Sequence, residues 1–442
     1  MRFKIHRGTK EIGGTCVEIW TDSSRLVIDM GMPLVNPDRT PFDSREAEKR
    51  STAELIQKNI LPDIPSLYQD SSKTALLISH AHQDHYGLMN HINSSCPVYL
   101  GFATKLLIEL TNTFTGKEWT VQKAHHIKTG EKFNVGNINV TPYQMDHAAF
   151  DSYAFLIEAD GKSLFYSGDF RIHGRNSQLF DWFSNNFDKK VDYLLLEGST
   201  IGRKEDFQTE SELEEKFVKT FSETKGTNLV YVSGQNIDRL ETIYNACKRT
   251  GKIFLIDFYV ANVLRTLSKK VKHNALPFPS SQTYPEIKVY FPQFLRKRMD
   301  ERGMAVKTIF PFVNEKTKLG RNKIKEIPEK LVMLIRPSVK YDLEKYLFKY
   351  SSDGCFIYSM YSGYKDKPGD TKDFLKYITD KGMQIVDIHT SGHADLAGLR
   401  KMVNVVKPKH IVPIHTFEKE SYITLFSDLN VKIVNDKDEI VI

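Results

Sequence analysis

Several features that mark other classes of protein are scarce or missing in this sequence. It has four cysteines, Cys16, Cys96, Cys247 and Cys355, and no two of them form a CxxC pair. Scattered single cysteines favour buried thiols in a reducing compartment over a disulfide framework, so we expect a cytoplasmic protein. No run of about 18 apolar residues occurs, so no membrane-spanning helix is predicted. The first residues, MRFKIHRGTKEIGG, lack the apolar core of a signal peptide and are predicted to form a strand.

The composition is that of a folded protein with an uneven charge. The chain has 442 residues, of which 40% are hydrophobic and 26% charged, which is enough for about two domains. The formal net charge is +7, and residues 265–349 hold 20 lysines and arginines against 8 aspartates and glutamates. Such a segment suits a polyanion such as nucleic acid, although a solvated lysine-rich surface would give the same count. The charge therefore supports a function on nucleic acid only if the sequence also contains a catalytic site.

The order of predicted elements changes near Ser199. Before it, runs such as RLVID, ALLIS, INVTPY and YAFLIEA are bounded by turn residues, which predicts short strands. After it, strands alternate with helices: NLVYV, a helix over 237–250, KIFLI, and further strand–helix pairs up to residue 388. This alternation predicts a parallel sheet with helices on its faces, so the expected fold class is α/β.

The segment LLISHAHQDHYGL places three histidines and an aspartate directly after a buried strand. His80 and His82 are two residues apart and project to one side of an extended chain, and Asp84 and His85 follow where the chain turns. Imidazole and carboxylate without a nearby thiolate form the ligand set of a catalytic zinc or manganese site, whereas closed structural sites more often use cysteine. The segment therefore predicts a catalytic metal centre.

Further ligands are expected at the ends of other strands, because four residues from one loop cannot enclose two metals. His147 lies in a polar loop between two predicted strands, Asp169 just beyond a buried strand, and His415 after another. A buried acid such as Asp169 is unfavourable unless it is paired or bound to metal. Each of the three alone would suit a cap or a surface position, but their recurrence at strand ends favours a shared site.

These residues resemble the signature of the metallo-β-lactamase superfamily, His-x-His-x-Asp-His followed by a distant His, Asp and His. The sequence is most similar to the β-CASP branch of nucleases, and in particular to its ribonuclease J-like bacterial members, because Glu197 in LLLEGST and His393 in TSGHAD match the acid and the histidine that this branch adds. The resemblance implies an αββα sandwich interrupted by an α/β domain with a parallel sheet. The implied bounds are 1–199 for the first part of the metallo-β-lactamase domain, 200–388 for the inserted β-CASP domain and 389–442 for the return.

The resemblance also implies two zinc ions, with manganese as the alternative, and a role for each matched residue. The implied metal ligands are His80, His82 and His147 for one ion, Asp84, His85 and His415 for the other, and Asp169 as the bridge. Asp29, in RLVIDMG, would orient a ligand imidazole without itself binding the metal. Besides Asp84, the implied catalytic residues are His393, the general acid, and Glu197, which orients it.

The implied function is a zinc-dependent ribonuclease that cuts internally, trims from an end, or does both. A hydroxide activated by the two metals would attack phosphorus, and His393 would protonate the leaving ribose oxygen. RNA is the expected partner, with single-stranded DNA as an alternative. A membrane is not expected, and a homodimer stays open.

Polar strand exits in the second half are candidate contacts for the substrate. VSGQNIDR follows a strand and opens a helix, where free backbone N–H groups favour phosphate. SMYSGYKDKPG and the Ser391–Gly392 pair are two more such exits, and each residue would equally suit a turn or a cap. The candidates are Ser233, Gln235, Asn236, Arg239, Ser362 and Ser391.

Three other functions stay open from the sequence. A DNA nuclease of the same branch would share the chemistry, although His415 favours RNA because DNA-directed members often lack a histidine there. A hydrolase of lactones, thioesters or β-lactams would need neither the basic segment nor His393 and Glu197. A binding module that has lost catalysis is disfavoured by the complete set of predicted ligands.

Overall fold

Two units make up the chain in the computed structural model, which describes residues 1–204, 207–271, 276–346, 353–366 and 369–442. Unit 1 consists of Met1–Glu205 and Gly392–Ile442, and unit 2 of Asp206–Ser391. The insertion was predicted over residues 200–388, and its assignment as a β-CASP domain stays a prediction. Within the described ranges, no helix has both the length and the apolar character needed to cross a membrane.

Unit 1 contains two sheets, with elements numbered along the whole chain. The first has the strand order β19-β1-β2-β3-β4-β5-β6, and the second β18-β11-β10-β9-β8-β7. Strands β3 to β6 pair in parallel, as do β10, β11 and β18. The bounds are β1 (Arg2–Arg7), β2 (Cys16–Trp20), β3 (Arg25–Ile28), β4 (Thr74–Ile78), β5 (Val98–Leu100), β6 (Ala124–His126), β7 (Phe133–Val135), β8 (Ile138–Met145), β9 (Ser152–Ala159), β10 (Lys162–Tyr166), β11 (Tyr193–Glu197), β18 (His410–Ile414) and β19 (Glu439–Val441).

The two sheets of unit 1 pack face to face over one apolar core. Because side chains alternate across a strand, residues two apart reach this core together, as Leu26 and Ile28 do on β3. They share one cluster of buried residues with Phe155, Leu195 and Ile414 of the second sheet. Burial of this kind stabilises a sandwich by roughly 25 cal/mol per Å² of apolar area removed from water.

Helices cover the outer side of the second sheet. Phe183, Leu399, Met402 and Tyr422 lie in a second apolar cluster with the outward-facing residues of β8 to β11. The helices of unit 1 are α1 (Ser44–Glu48), α2 (Thr52–Gln57), α3 (Pro65–Tyr68), α4 (Gln83–Tyr86), α5 (Phe102–Thr115), α6 (Gln178–Asn186), α16 (Leu396–Val406) and α17 (Ser421–Leu425).

Unit 2 is built around a third sheet in which all strand pairs are parallel, in the order β14-β13-β15-β12-β16-β17. Its strands are β12 (Asn228–Tyr231), β13 (Ile253–Asp257), β14 (Ile287–Tyr290), β15 (Leu331–Ile335), β16 (Cys355–Tyr358) and β17 (Gln384–Asp387). Its helices are α7 (Glu210–Glu223), α8 (Ile237–Thr250), α9 (Phe258–Lys270), α10 (Gln293–Glu301), α11 (Ala305–Thr308), α12 (Phe310–Asn314), α13 (Arg321–Glu326), α14 (Lys340–Tyr346) and α15 (Asp370–Asp380).

The structure confirms the α/β class and most of the predicted elements. The helix predicted over 237–250 is α8, and the strand–helix pairs predicted up to residue 388 include the strands β15 and β16. In unit 1, α16 begins at Leu396 because the Asp395 carboxylate accepts a hydrogen bond from Gly398 N at 2.8 Å and so caps the first turn. All four cysteines are buried free thiols.

Candidate metal centre

The seven predicted metal ligands lie together in unit 1. They follow the carboxyl ends of β4, β8, β10 and β18, or lie in α4 directly after β4. Their nitrogen and oxygen atoms form three groups, in each of which the atoms lie within 4.8 Å of one another. The groups are His80, His82 and His147; His80, His85 and Asp169; and Asp84, His85 and His415.

The Asp169 carboxylate occupies the middle of the cluster. Its Oδ2 lies 3.1 Å from His85 Nε2, 3.6 Å from His415 Nε2 and 3.8 Å from His80 Nε2. Gly168 (φ +56°) makes the turn that brings this carboxylate back from β10, and a Cβ there would lie 2.5 Å from the Tyr153 carbonyl oxygen. The backbone of this turn therefore requires glycine.

Four atoms of the cluster are buried and have no hydrogen-bond partner among the residues that the structure describes. They are His80 Nε2, His85 Nε2, His415 Nε2 and Asp169 Oδ2. A buried polar atom without a partner is unfavourable by roughly 1–3 kcal/mol, and here four such atoms converge. A cation bound among these four atoms would give each of them a partner and so offset the unfavourable burial. The donor set therefore fits a divalent metal.

The hydrogen bonds of the opposite ring atoms orient His80 and His85 as ligands. Asp29 Oδ2 lies 2.7 Å from His85 Nδ1 and also accepts from Ser79 Oγ at 2.8 Å. With its proton given to Asp29, the Ser79 hydroxyl accepts from His80 Nδ1 at 3.0 Å. In their neutral forms, as metal ligands, both rings would then carry the lone pair on Nε2, and His85 Nε2 lies 3.1 Å from Asp169 Oδ2.

The other two anchored imidazoles are held by different partners. His147 Nδ1 donates to the Gly392 carbonyl oxygen at 2.6 Å, which leaves the lone pair on Nε2, 3.2 Å from His82 Nδ1. His415 Nδ1 lies 2.8 Å from Thr15 Oγ1 and accepts a hydrogen bond from the Gly13 amide at 3.4 Å, which fixes the orientation of the ring.

Two residues of the centre have left-handed backbone conformations. Asp29 has φ +61° and His415 φ +53°, which side chains other than glycine adopt at the expense of backbone strain. Both lie one residue beyond a strand, β3 and β18 respectively. The turn directs each side chain toward the cluster instead of along the sheet.

Burial and neighbouring charge shift the pKa values of the histidines in opposite directions. Burial lowers the pKa of His80 and of His147 well below the usual range and that of His82 to about 4, which keeps these rings neutral. For His85, burial acts in the same direction, but the carboxylates of Asp169 and Asp29 outweigh it, and the pKa lies well above the usual value. A carboxylate-rich pocket of this kind stabilises positive charge, as a cation site does.

His393 lies beside the cluster with a different environment. Its Nδ1 is 3.0 Å from Glu197 Oε2 and 3.8 Å from Asp169 Oδ2. Burial would lower the pKa of His393, but the nearby carboxylates of Glu197 and Asp169 raise it above the usual value. The Glu197 carboxylate is itself fixed by the backbone amides of Phe170 at 3.0 Å and Ser199 at 3.3 Å.

His393 also belongs to a fourth group of potential ligands, with His147 and Asp169. Its side chain is 19% exposed, whereas that of His415 is 2% exposed and those of His80 and His85 are fully buried. Among these four imidazoles it is therefore the one that a substrate reaches most easily.

The six candidate substrate contacts lie in unit 2, where the parallel strands bring their exits to one edge of the third sheet. Ser233, Gln235 and Asn236 follow β12, Ser362 follows β16 and Ser391 follows β17. Asn236 Oδ1 caps α8 by accepting from Arg239 N at 3.2 Å, and Gln235 Nε2 donates to Tyr259 Oη at 2.7 Å. Ser362 is exposed and Ser391 is buried.

The prediction that Arg239 contacts the substrate is wrong, because its side chain is not accessible to a nucleotide. Its side chain is fully buried and forms a two-pronged ion pair with Glu210, with both nitrogen–oxygen distances at 3.0 Å. A further guanidinium nitrogen donates to Ser359 Oγ. Helical position alone suggested a phosphate contact, but the partner that neutralises Arg239 lies at the start of α7, 29 residues earlier.

Two further features of the centre were missed from the sequence. Ser79 links Asp29 to His80, and its only signal was a position between a buried strand and the first histidine. Arg171 is fully buried and lies 3.3 Å from Asp146, the neighbour of His147. A charged residue one or two positions from a predicted ligand, as in MDH and GDFR, was the signal for this pair.

Comparisons with known proteins agree with this geometry. The family model described as "Beta-lactamase superfamily domain" matches residues 55–232, and the model described as "Zn-dependent metallo-hydrolase RNA specificity domain" matches residues 380–424. The chain therefore contains a domain of the metallo-β-lactamase superfamily, matched over residues 55–232.

The relatives indicate the branch of that superfamily. Ribonuclease J of Helicobacter pylori strain 26695 is 22% identical over 92% of this chain and 55% of its own length. Transcription termination factor FttA of Methanothermobacter thermautotrophicus is 24% identical over 91% of this chain and 64% of its own length. Together with the RNA specificity match, these relatives are consistent with the β-CASP nuclease branch, with ribonuclease J among the similar proteins. The chain spans between 54% and 66% of the length of ribonuclease J proteins that it matches.

One solved structure has the same fold over the whole chain. It is a protein of unknown function from Enterococcus faecalis V583, 20% identical, with a TM-score of 0.79 over 100% of this chain and 99% of that one. At this identity the likeness concerns the fold alone.

Proposed function

We propose that this protein is a metal-dependent ribonuclease that hydrolyses RNA phosphodiester bonds with two zinc ions and a histidine general acid. The observation that carries the proposal is the convergence of four buried atoms without hydrogen-bond partners, on His80, His85, His415 and Asp169. RNA as the substrate is supported by the match to an RNA specificity model and by relatives named ribonuclease J.

The ligand atoms divide into two sets joined by one carboxylate. His80, His82 and His147 would hold one ion, and Asp84, His85 and His415 the other. Asp169 would bridge the two, because its Oδ2 lies within 3.8 Å of an imidazole from each set. Divalent ions in such a site supply Lewis acidity, which lowers the pKa of water and neutralises charge on a phosphoryl oxygen. Neutral rings on His80 and His147 keep their ligand nitrogens available.

His393 would supply the proton to the leaving ribose oxygen. Its Nδ1 faces Glu197, and a protonated imidazole would pass its proton to the leaving oxygen from Nε2, the other ring nitrogen. Partial exposure lets a substrate approach this ring. General acid catalysis of this type contributes about 10²- to 10⁴-fold to the rate.

Glu197 would act as a positioning residue. Its two oxygens accept from the amides of Phe170 and Ser199 and from His393, so the imidazole is held in one orientation. Tyr422 Oη, which donates to the Glu197 carbonyl oxygen at 2.6 Å, fixes the end of β11 that carries this carboxylate.

The test is a cleavage assay with the purified protein on end-labelled single-stranded RNA, DNA of the same sequence and a chromogenic lactam. We expect RNA to be cut, the cutting to stop with chelator, and zinc or manganese to restore it. Product lengths separate internal cutting from trimming. Metal content is measured in parallel on the wild type, His85→Ala and His126→Ala, because His126 is an exposed histidine on β6 outside the cluster.

The outcomes separate the alternatives. Metal that is lost in His85→Ala and kept in His126→Ala supports the centre. Cleavage of DNA with RNA left intact, or turnover of the lactam alone, contradicts the ribonuclease proposal. Cleavage of RNA that continues in chelator, by protein without bound metal, contradicts the metal centre.

A further inference from the structure

Unit 2 has an open groove of about 970 Å³ along α10, lined by none of the metal-centre residues. We call it the α10 groove. One side is the face of α10 that carries residues 293, 296, 297, 300 and 301, which follow the helical repeat. The other side is α12 with the loop that leads to α13. The residues that line the groove include the basic and apolar side chains of Arg296, Lys297, Phe310, Val313, Lys318 and Arg321.

The α10 groove lies in the most basic part of the chain. Residues 291–325 contain 10 lysines and arginines against 3 acidic residues. The groove itself has four basic residues and two acids, Asp300 and Glu301. Those acids form surface pairs with Arg296 at 3.6 Å and Lys297 at 3.7 Å, and such exposed pairs contribute little and exchange readily for another anion.

Apolar side chains are exposed among these charges. Phe310 is 50% exposed and Val313 45% exposed in the groove, and Phe294, 65% exposed, lies one turn from Lys297 on α10. A folded protein rarely leaves large apolar side chains clustered in water unless the patch binds something. The exposed phenyl rings therefore call for a partner with apolar faces as well as negative charge.

We propose that the α10 groove binds single-stranded RNA, with phosphates on Arg296, Lys297, Lys318 and Arg321 and a base stacked on Phe310. Single-stranded nucleic acids combine a charged backbone with bases that stack on aromatic rings, and the groove offers both partners. A double helix hides the faces of its bases, and an acidic peptide needs the cations without the rings. The inference rests on the proposed function only for the identity of the polyanion.

The test is fluorescence anisotropy with a labelled oligouridine of about 12 nucleotides, within the span that one such site covers. Chelator is present throughout, so that no RNA is cut. Phe310→Ala is expected to weaken binding about 5- to 150-fold, the loss of one stacked base, with the salt dependence unchanged. The double variant Arg296→Ala/Lys297→Ala is expected to lower the slope of log affinity against log salt by about 0.7 for each phosphate that the variant no longer neutralises.

Two variants of unit 2 serve as matched controls. Tyr341→Ala removes an aromatic ring that is 83% exposed outside the groove. Lys376→Ala breaks an exposed i,i+4 pair with Asp380 at 2.9 Å, with side-chain exposure of 75% against 76% for Lys297. Both are expected to bind oligouridine as the wild type does.

The result separates this inference from the proposed function. If the wild type cleaves RNA, and Phe310→Ala and the double variant bind oligouridine with wild-type affinity, the inference about the α10 groove is wrong. The proposed function is not affected by that result. Groove-dependent binding without any cleavage supports the groove and contradicts the function. Competition by oligoglutamate as strong as that by oligouridine at equal charge, or a mass that halves in the groove variants, assigns the surface to an acidic protein or a second copy and overturns the inference.

Discussion

Asp29 Oδ2 lies 2.7 Å from His85 Nδ1, and both side chains are fully buried. The same oxygen accepts from Tyr166 Oη at 2.9 Å and from Ser79 Oγ at 2.8 Å. One carboxylate thus sets the proton position on His85 directly and on His80 through Ser79. The orientation of two predicted ligands depends on a residue that would not touch the metal.

Asp29→Asn is expected to weaken metal binding by about 10- to 100-fold, the usual effect of removing a partner behind a ligand. Asparagine keeps the shape and tolerates φ +61°, but one acceptor oxygen becomes a donor, so the proton of His85 Nδ1 loses its partner. The measurement is competition with a metallochromic chelator. Tyr166→Phe, which removes one bond to Asp29 and keeps the carboxylate, is the control with the smaller expected effect.

His393→Ala is expected to retain metal and to lose about 10²- to 10⁴-fold in kcat on RNA, with a smaller change in KM, because a proton donor acts in the transition state. Metal content and steady-state kinetics on the same preparation check this. If the alanine variant loses metal as His85→Ala does, His393 is a ligand in the group with His147 and Asp169 instead. Glu197→Gln, which keeps a hydrogen bond to the ring, is expected to fall between the wild type and His393→Ala.

Asp151 makes the stability of the protein depend on pH. Its carboxylate accepts from Ala103 N at 2.8 Å and Thr104 N at 3.1 Å at the start of α5, and burial raises its pKa to about 6 from an ordinary value near 3.8. Between these values the folded state holds the proton more tightly than the unfolded state, so the free energy of unfolding falls as the pH rises through this window.

Asp151→Asn removes that pH dependence. We expect the two proteins to have similar stability near pH 4 and the variant to be more stable by at most about 3 kcal/mol at pH 7.5. Asparagine suits the left-handed φ of +67° at this position. Urea denaturation of both proteins across this range measures the difference, and the exposed Asp181→Asn serves as the control. A difference that does not change with pH would contradict the assignment.

Arg239 should affect stability more than substrate binding. Arg239→Met leaves the Glu210 charge buried without its cation, which is unfavourable by about 3–5 kcal/mol because both side chains are at most 1% exposed. Adding Glu210→Gln is expected to recover part of the loss, and a double-mutant cycle by chemical denaturation gives the coupling. A variant of wild-type stability with a raised KM for RNA would restore Arg239 as a nucleotide-binding residue.

The sequence predicted which side chains cluster better than it predicted their surroundings, for a physical reason. Polar residues at the ends of buried strands are a local signal, which is why His80, Asp169 and His415 could be named without a structure. The Gly392 carbonyl oxygen that anchors His147 lies 245 residues further along the chain, and no local pattern reports such a pairing. The prediction that Arg239 contacts the substrate was wrong for the same reason, since the burial of its side chain depends on a partner in another helix.

The basic segment shows the same limit. Its charge was readable from composition, but the grouping of exposed rings with those charges arises only when α10 and α12 fold against each other. The charge of the sequence thus favoured a polyanion as the partner, and the α10 groove is the place where we propose that single-stranded RNA binds.

The proposed ligands are divided between the two segments that flank unit 2 in the sequence. Because a ribosome makes protein from the amino end, His393 and His415 emerge after all of unit 2 has been synthesised. A nascent chain that ends within unit 2 therefore lacks both histidines, so the proposed centre can be completed only after that unit has been synthesised.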